Sequence, residues 1–195
     1  MVNLIVNHIV TELKLSLPFV DKITGIVKTA SINTGGTVKT FPIALNDDIT
    51  ACNPNQLLDF TPNNKYTSVI YFEDRGTRVD RMENQSIYFT SSFTLICWFD
   101  FRKIAGCMSN TSYIAGNIIK YLPEIVGNLS PLNSVIVSVV GEQANDGNVF
   151  SKYSYLEEVN QYITYPYGYV ALDLQAEFRV RKECIEDIEI CTALC

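Results

Sequence analysis

The chain has 195 residues, 47% of them hydrophobic and 18% charged, with a formal net charge of −6. Those values suit one globular domain with a sizeable core, and the acidity argues against a dedicated nucleic-acid binder while leaving room for a local basic patch. No apolar run reaches the roughly 18 residues that a membrane span requires, and the N-terminus carries neither a basic leader nor an A-x-A cleavage site, so neither a span nor a signal peptide is expected.

Val2–Leu17 is predicted helical, because Val2, Ile5, Val6, Ile9, Val10, Leu13 and Leu17 recur at three- and four-residue steps. Phe19–Lys28 is ambiguous, with β-branched residues that could open a first strand. Gly35-Gly36 marks a turn before the strand Thr37–Leu45, whose Pro42 suggests an edge position or a bulge. Asn46–Asn64 is polar and turn-rich and reads as a long loop.

Tyr66–Glu73 is a predicted strand, and Ile87–Arg102 a longer one. Together they form a hairpin whose tip, at about 73–86, is charged. Ser109–Val126 is predicted as a second helix, with Ser109, Thr111 or Ser112 as its cap and Ile114, Ile118, Leu122 and Ile125 as its buried stripe. Asn133–Glu142 is β-branched and apolar on both sides, which fits a central strand. Ser154-x-x-Glu157 is a capping box opening a third helix, stopped by Tyr165-Pro166-Tyr167-Gly168.

The last strand alternates most clearly. Val170, Leu172, Leu174, Ala176, Phe178 and Val180 share one side, while Asp173, Gln175, Glu177 and Arg179 share the other. The polar row faces solvent, a neighbouring subunit or a channel. The expected fold is α+β, in the order α–β–β–β–α–β–α–β, with helices packed on one face of a mainly antiparallel sheet. The expected domain covers residues 1–182, followed by an acidic, cysteine-bearing tail at 183–195.

No catalytic constellation emerges. The one histidine, His8, lies near an apolar helix stripe, and no phosphate-loop, dinucleotide, nucleophile-elbow or zinc-protease motif occurs. The acid pairs Asp47-Asp48, Glu73-Asp74, Glu157-Glu158 and Glu186-Asp187 point apart on regular backbone, which fits solvated surface or caps. Cys184, Cys191 and Cys195 have spacing that matches no zinc motif. The six cysteines therefore read as free thiols of a reducing compartment, with a metal site or a disulfide as the alternative. No catalytic residue, metal ligand or cofactor is assigned.

Two features suit assembly. Arg75, Arg78 and Arg81 sit among acids at the hairpin tip, where complementary charge could meet another copy or stay solvated. Tyr165 and Tyr167 belong to a tyrosine cluster that serves core packing, an interface, or both.

The helix Val2–Leu17, the long strand Ile87–Arg102 leading into Ser109–Val126, and the closing SYLEEVNQYITYPYGYVALDLQAEF together resemble the tail-terminator and neck-completion proteins of tailed bacteriophages. The tail after Lys182 departs from that family. The resemblance implies a virion structural protein, assembled in the host cytoplasm. It would form a ring, hexameric or dodecameric, at the head–tail junction or tail end. Its partners would be other copies, neck, portal-adaptor or tail-tube proteins, and DNA passing without sequence recognition. A small ligand-binding domain and a carboxylate-dependent enzyme are the other classes left open.

Overall fold

β-Branched and aromatic runs take over more of this chain than helical ones. The computed structural model describes residues 1–34, 36–45, 57–104, 110–143, 148–154 and 161–185. Helix α1 (Val2–Ser16) is followed by β1 (Lys22–Ile26), β2 (Lys28–Thr34), β3 (Thr37–Leu45), β4 (Leu57–Asp59), β5 (Ser68–Glu83) and β6 (Ser86–Asp100). Then come α2 (Thr111–Tyr121), β7 (Ile125–Leu129), β8 (Leu132–Glu142) and β9 (Tyr167–Arg181). A six-stranded sheet has the order β1-β5-β6-β9-β8-β7, and a three-stranded sheet the order β2-β3-β4. The large sheet curls into a half-barrel. It is mixed, because β1 runs parallel to β5 while its other pairs are antiparallel.

The expected α+β layout, with helices on one face of a mainly antiparallel sheet, is therefore corrected to a mostly β architecture with two sheets and two helices. Three stretches account for the difference. Phe19–Lys28 yields β1 and leads directly into β2, and part of the expected 46–64 loop is the strand β4. The end of the expected second helix is β7, since Pro123 cannot continue a helix and Leu122 already turns extended. Ile125 is thus not part of a buried stripe. Of the expected third helix, residues 155–160 lie outside the described residues, and Gln161–Ile163 form a single 3₁₀ turn.

Two of the expected helices form within the stretches that predicted them, the second shorter than expected. Ile5, Val6, Ile9 and Leu13 of α1 and Ile114, Ala115 and Ile118 of α2 are buried. The N-cap of α2 is Asn110, whose side chain accepts from the Ser112 amide at 2.9 Å. These residues join a core with Phe72, Phe93, Leu95, Phe99 and the whole apolar row of β9. The opposite face of the large sheet carries a second core, in which Tyr71, Ile96, Trp98 and Ala171 meet Val27, Ala44, Phe60, Val149, Phe150 and Tyr153. The small sheet and the segment 148–154 thus cover part of that face.

Val27 joins the two sheets. It is buried between β1 and β2, and its amide donates to the Phe72 carbonyl at 2.9 Å. Pro42 is not on an edge strand, since β3 is the middle strand of its sheet. It lies just before the β3–β4 ladder begins at Ile43, where its missing N–H is tolerated.

The hairpin is longer than its charged sequence suggests. β5 continues through Glu83, and Asn84-Gln85 alone make the turn, with Asn84 in the left-handed region at φ 50. Residues 68–73 of β5 are buried, but all ten residues from Asp74 to Glu83 are exposed. The outer half of β5 is therefore an exposed edge strand, a blade laid along β6, whose Phe89, Thr90, Ser91 and Phe93 stay buried beside β9.

Candidate functional site

The blade and the open half of the face behind it carry the charged residues. Glu73, Thr94 and Asp173 are register partners on β5, β6 and β9, so one polar row crosses three strands. Arg75 Nε donates to Thr94 Oγ1 at 3.0 Å, and the Thr94 hydroxyl donates to Asp173 Oδ1 at 2.7 Å. Gln143 Nε2 donates to the same carboxylate oxygen at 2.8 Å. At the other end of the row Glu73 is 2% exposed. It accepts from the Tyr153 hydroxyl at 2.7 Å and pairs with Lys152 Nζ at 2.5 Å and Arg75 Nη2 at 3.5 Å.

This row marks where the covered part of the face gives way to the open part. It corrects the expectation that Glu73 is solvated: segment 148–154 lies over it and supplies two of its partners. Two strand spacings separate Glu73 from Asp173, about 10 Å. Each carboxylate has its own donors, so the row braces the sheet rather than converging two acids on a substrate.

Beyond the row, Arg78, Thr90 and Glu177 are register partners, as are Arg81, Tyr88 and Arg179. Gln175 pairs with Ser92. Arg78 Nε meets Asp80 at 3.0 Å, Arg81 Nε meets Glu83 at 2.9 Å, and the Arg81 guanidinium lies 4.1 Å from the Tyr88 ring centre. The Thr90 hydroxyl donates to Asp80 and, with Arg78 and Arg81 nearby, holds its carboxyl below the usual range. Exposed pairs of this kind each contribute about 0–1 kcal/mol, so the blade's charges matter more for what they meet than for stability.

The structure gathers Arg75, Arg78, Arg81, Asp173, Gln175, Glu177 and Arg179 on one face. It does not bring Tyr165 and Tyr167 to that end of the sheet. β9 begins at Tyr167, so these tyrosines lie roughly 40 Å from Arg179 along the strand. Tyr165 is 77% exposed. Tyr167 stacks on Trp98 with ring centres 5.4 Å apart, and its hydroxyl accepts from Arg102 Nη2 at 2.9 Å. Arg102 also grips the fully buried Asp100 through Nε at 2.9 Å and Nη2 at 2.8 Å. Those bonds hold the Asp100 carboxyl below its ordinary range.

Both sides of the large sheet end in open backbone. β1 pairs with β5 only between Val69 and Phe72, so no strand among the described residues pairs with the outer edge of β5 from Glu73 onward. On the far side β7 covers β8 only from Leu132 to Ile136. The stretch 138–142 of β8 has β9 on one side and no strand on the other among the described residues. β8 is thus not the covered central strand that its apolar run suggests. Val140 is 64% exposed and Ile136 51%, and Ile136 pairs with Ile125, itself 77% exposed.

A cavity of about 580 Å³ lies between α1 and the strands β1, β2 and β4, lined by Asn7, Lys14, Thr24, Lys28 and Phe60 among others. Among the described residues its lining contains no acid, histidine or cysteine, and its ionisable groups are Lys14 and Lys28. Among the described residues no three His, Cys, Asp or Glu side chains stand together as metal ligands. Cys97 is buried and Cys184 exposed, both unpaired, and Cys191 and Cys195 lie outside the described residues, as do Asp47-Asp48, Glu157-Glu158 and Glu186-Asp187. No helix among the described residues is long and apolar enough to cross a membrane.

The chain matches no family model and no curated protein. Sequence reasoning missed Lys152, Gln143 and the Asp100–Arg102 pair. Tyr153 stood in the tyrosine cluster, but nothing local ties it to Glu73, 80 residues away.

Proposed function

We propose that this protein is a structural subunit that assembles into a ring, of the kind found at the neck or tail end of a tailed-phage virion. The blade carries the reading. Ten residues of β5 are exposed along a strand edge that has no strand partner among the described residues, a surface that a lone molecule leaves unused. Its arginines and acids alternate, which favours a selective partner over non-specific sticking.

Two further observations support assembly. The strand β8 has the composition of a covered strand, and its stretch 138–142 has no strand on its outer side among the described residues. Closed rings need two different complementary patches on each subunit, and the sheet has an open edge on each side. The polar face between those edges, from Ser92 and Thr90 to Gln175, Glu177 and Arg179, would line the lumen. With both signs of charge present, it suits passage of DNA without a firm grip on phosphate. The neck, portal-adaptor or tail-tube proteins of the same virion are the proposed neighbours.

Size-exclusion chromatography with light scattering, followed by negative-stain imaging, tests the reading. A discrete ring is the expected result. A strict monomer at high concentration, unchanged by any neck or tail component, overturns it.

A further inference from the structure

We propose that the outer edge of β5 in one copy pairs with the open stretch 138–142 of β8 in the next, antiparallel, so that the sheet continues from subunit to subunit. This rests on the ring reading and names the surfaces that build it.

Strand direction carries the first part. β5 is antiparallel to β6, β6 to β9 and β9 to β8, so β5 and β8 run in opposite senses. Repeating the subunit about an axis along the strands keeps those senses. A neighbour's β8 therefore arrives antiparallel to β5, the geometry that a direct ladder needs. Four strands of each copy, β5, β6, β9 and β8, would then form one continuous wall.

Side chains supply the second part. The segment from Glu124 to Gln143 contains Glu124 and Glu142 and no Lys or Arg. The blade edge presents the exposed guanidinium groups of Arg75, Arg78 and Arg81, each already beside an acid of its own strand (Glu73, Asp80 and Glu83) and open to a further one. Exposed aliphatic groups occur on both sides as well: Val79 and Met82 on β5, and Ile125, Ile136, Val139 and Val140 on β7 and β8. Apolar groups can thus meet apolar groups while arginines meet acids.

The edges are also guarded. The β5–β6 register skips a residue between Asp74 and Gly76 and another between Val79 and Arg81, and the β8–β9 register skips between Val139 and Gly141. Bulges interrupt the flat template that promotes indiscriminate strand addition. A partner must match them, which restricts the edge to a shaped mate such as another copy of this chain.

Two variants test the pairing. Arg78→Glu with Arg81→Glu reverses charge on the blade, and Val140→Asp with Ile125→Asp puts acid into the aliphatic edge. All four positions are exposed, and melting temperatures near wild type confirm that each variant folds. Each variant alone is expected to lose ring formation. Mixed one to one, they are expected to give a heterodimer that grows no further, because each retains the edge that the other lacks. Two observations overturn the pairing while leaving the ring reading intact: rings in either variant, or no heterodimer on mixing when wild type assembles. A wild-type chain that never assembles overturns both.

Discussion

The Tyr153 hydroxyl donates to Glu73 Oε1 at 2.7 Å, at a carboxylate almost wholly out of solvent. That bond fastens the segment 148–154 to β5 at the point where the blade leaves the core. Tyr153→Phe is expected to destabilise the chain by about 1–2 kcal/mol, with Glu73→Gln at the upper end of about 1–3 kcal/mol because charge-assisted contacts to Lys152 and Arg75 go as well. Urea denaturation checks this: the midpoint falls while the slope holds.

Acid stability should depend on Asp100. Its folded carboxyl titrates below the ordinary aspartate range, chiefly because Arg102 hydrogen-bonds to it. The stabilisation is thus fully present above the unfolded value and drains away as pH falls through the folded one. Melting temperature measured from pH 7 down to pH 2 should drop in the acid limb, and Asp100→Asn should start lower and show a shallower drop. An unchanged acid limb in that variant would remove Asp100 from the explanation.

Gly168 is a test of packing. A Cβ there would lie 2.7 Å from Phe99 Cε2 and 2.9 Å from Phe101 Cε2. Both rings are packed, so Gly168→Ala is expected to cost about 1–3 kcal/mol by overpacking. A stability within 0.5 kcal/mol of wild type, by the same urea titration, would mean that the rings move aside freely.

Thiol chemistry separates two cysteines. Burial pushes the Cys97 thiol well above its ordinary range, whereas Cys184 is exposed. Brief alkylation of the native protein followed by peptide mass mapping should label Cys184 and leave Cys97 unmodified until denaturant is added. Labelling of Cys97 at the rate of Cys184 would contradict the packing of β6.

Period-two alternation made the strand at 170–181 legible, and the apolar row packs as its spacing predicts. The α1 stripe was legible from its three- and four-residue steps. What sequence could not give is which elements cover which face. Tyr169 and Ala171 continue the polar side of β9 yet are buried, because the segment 148–154 and the small sheet lie across them. The apolar run of β8 predicts coverage on both sides, whereas among the described residues Val135 and Val137 are buried and Ile136 and Val140 exposed. A side-chain hydrogen bond between residues 80 positions apart, as at Glu73 and Tyr153, leaves no local trace.

Val27 sets the phase of two sheets at once. The chain enters it from β1, which is hydrogen-bonded to β5, and leaves it as β2, which is hydrogen-bonded to β3. Side chains alternate with period two, so one residue inserted or deleted there would invert inside and outside along β2 relative to β1. Length at this junction is therefore as tightly constrained as side-chain identity. A chain spliced or circularly permuted here would lose its small sheet and, with it, one roof of the large one.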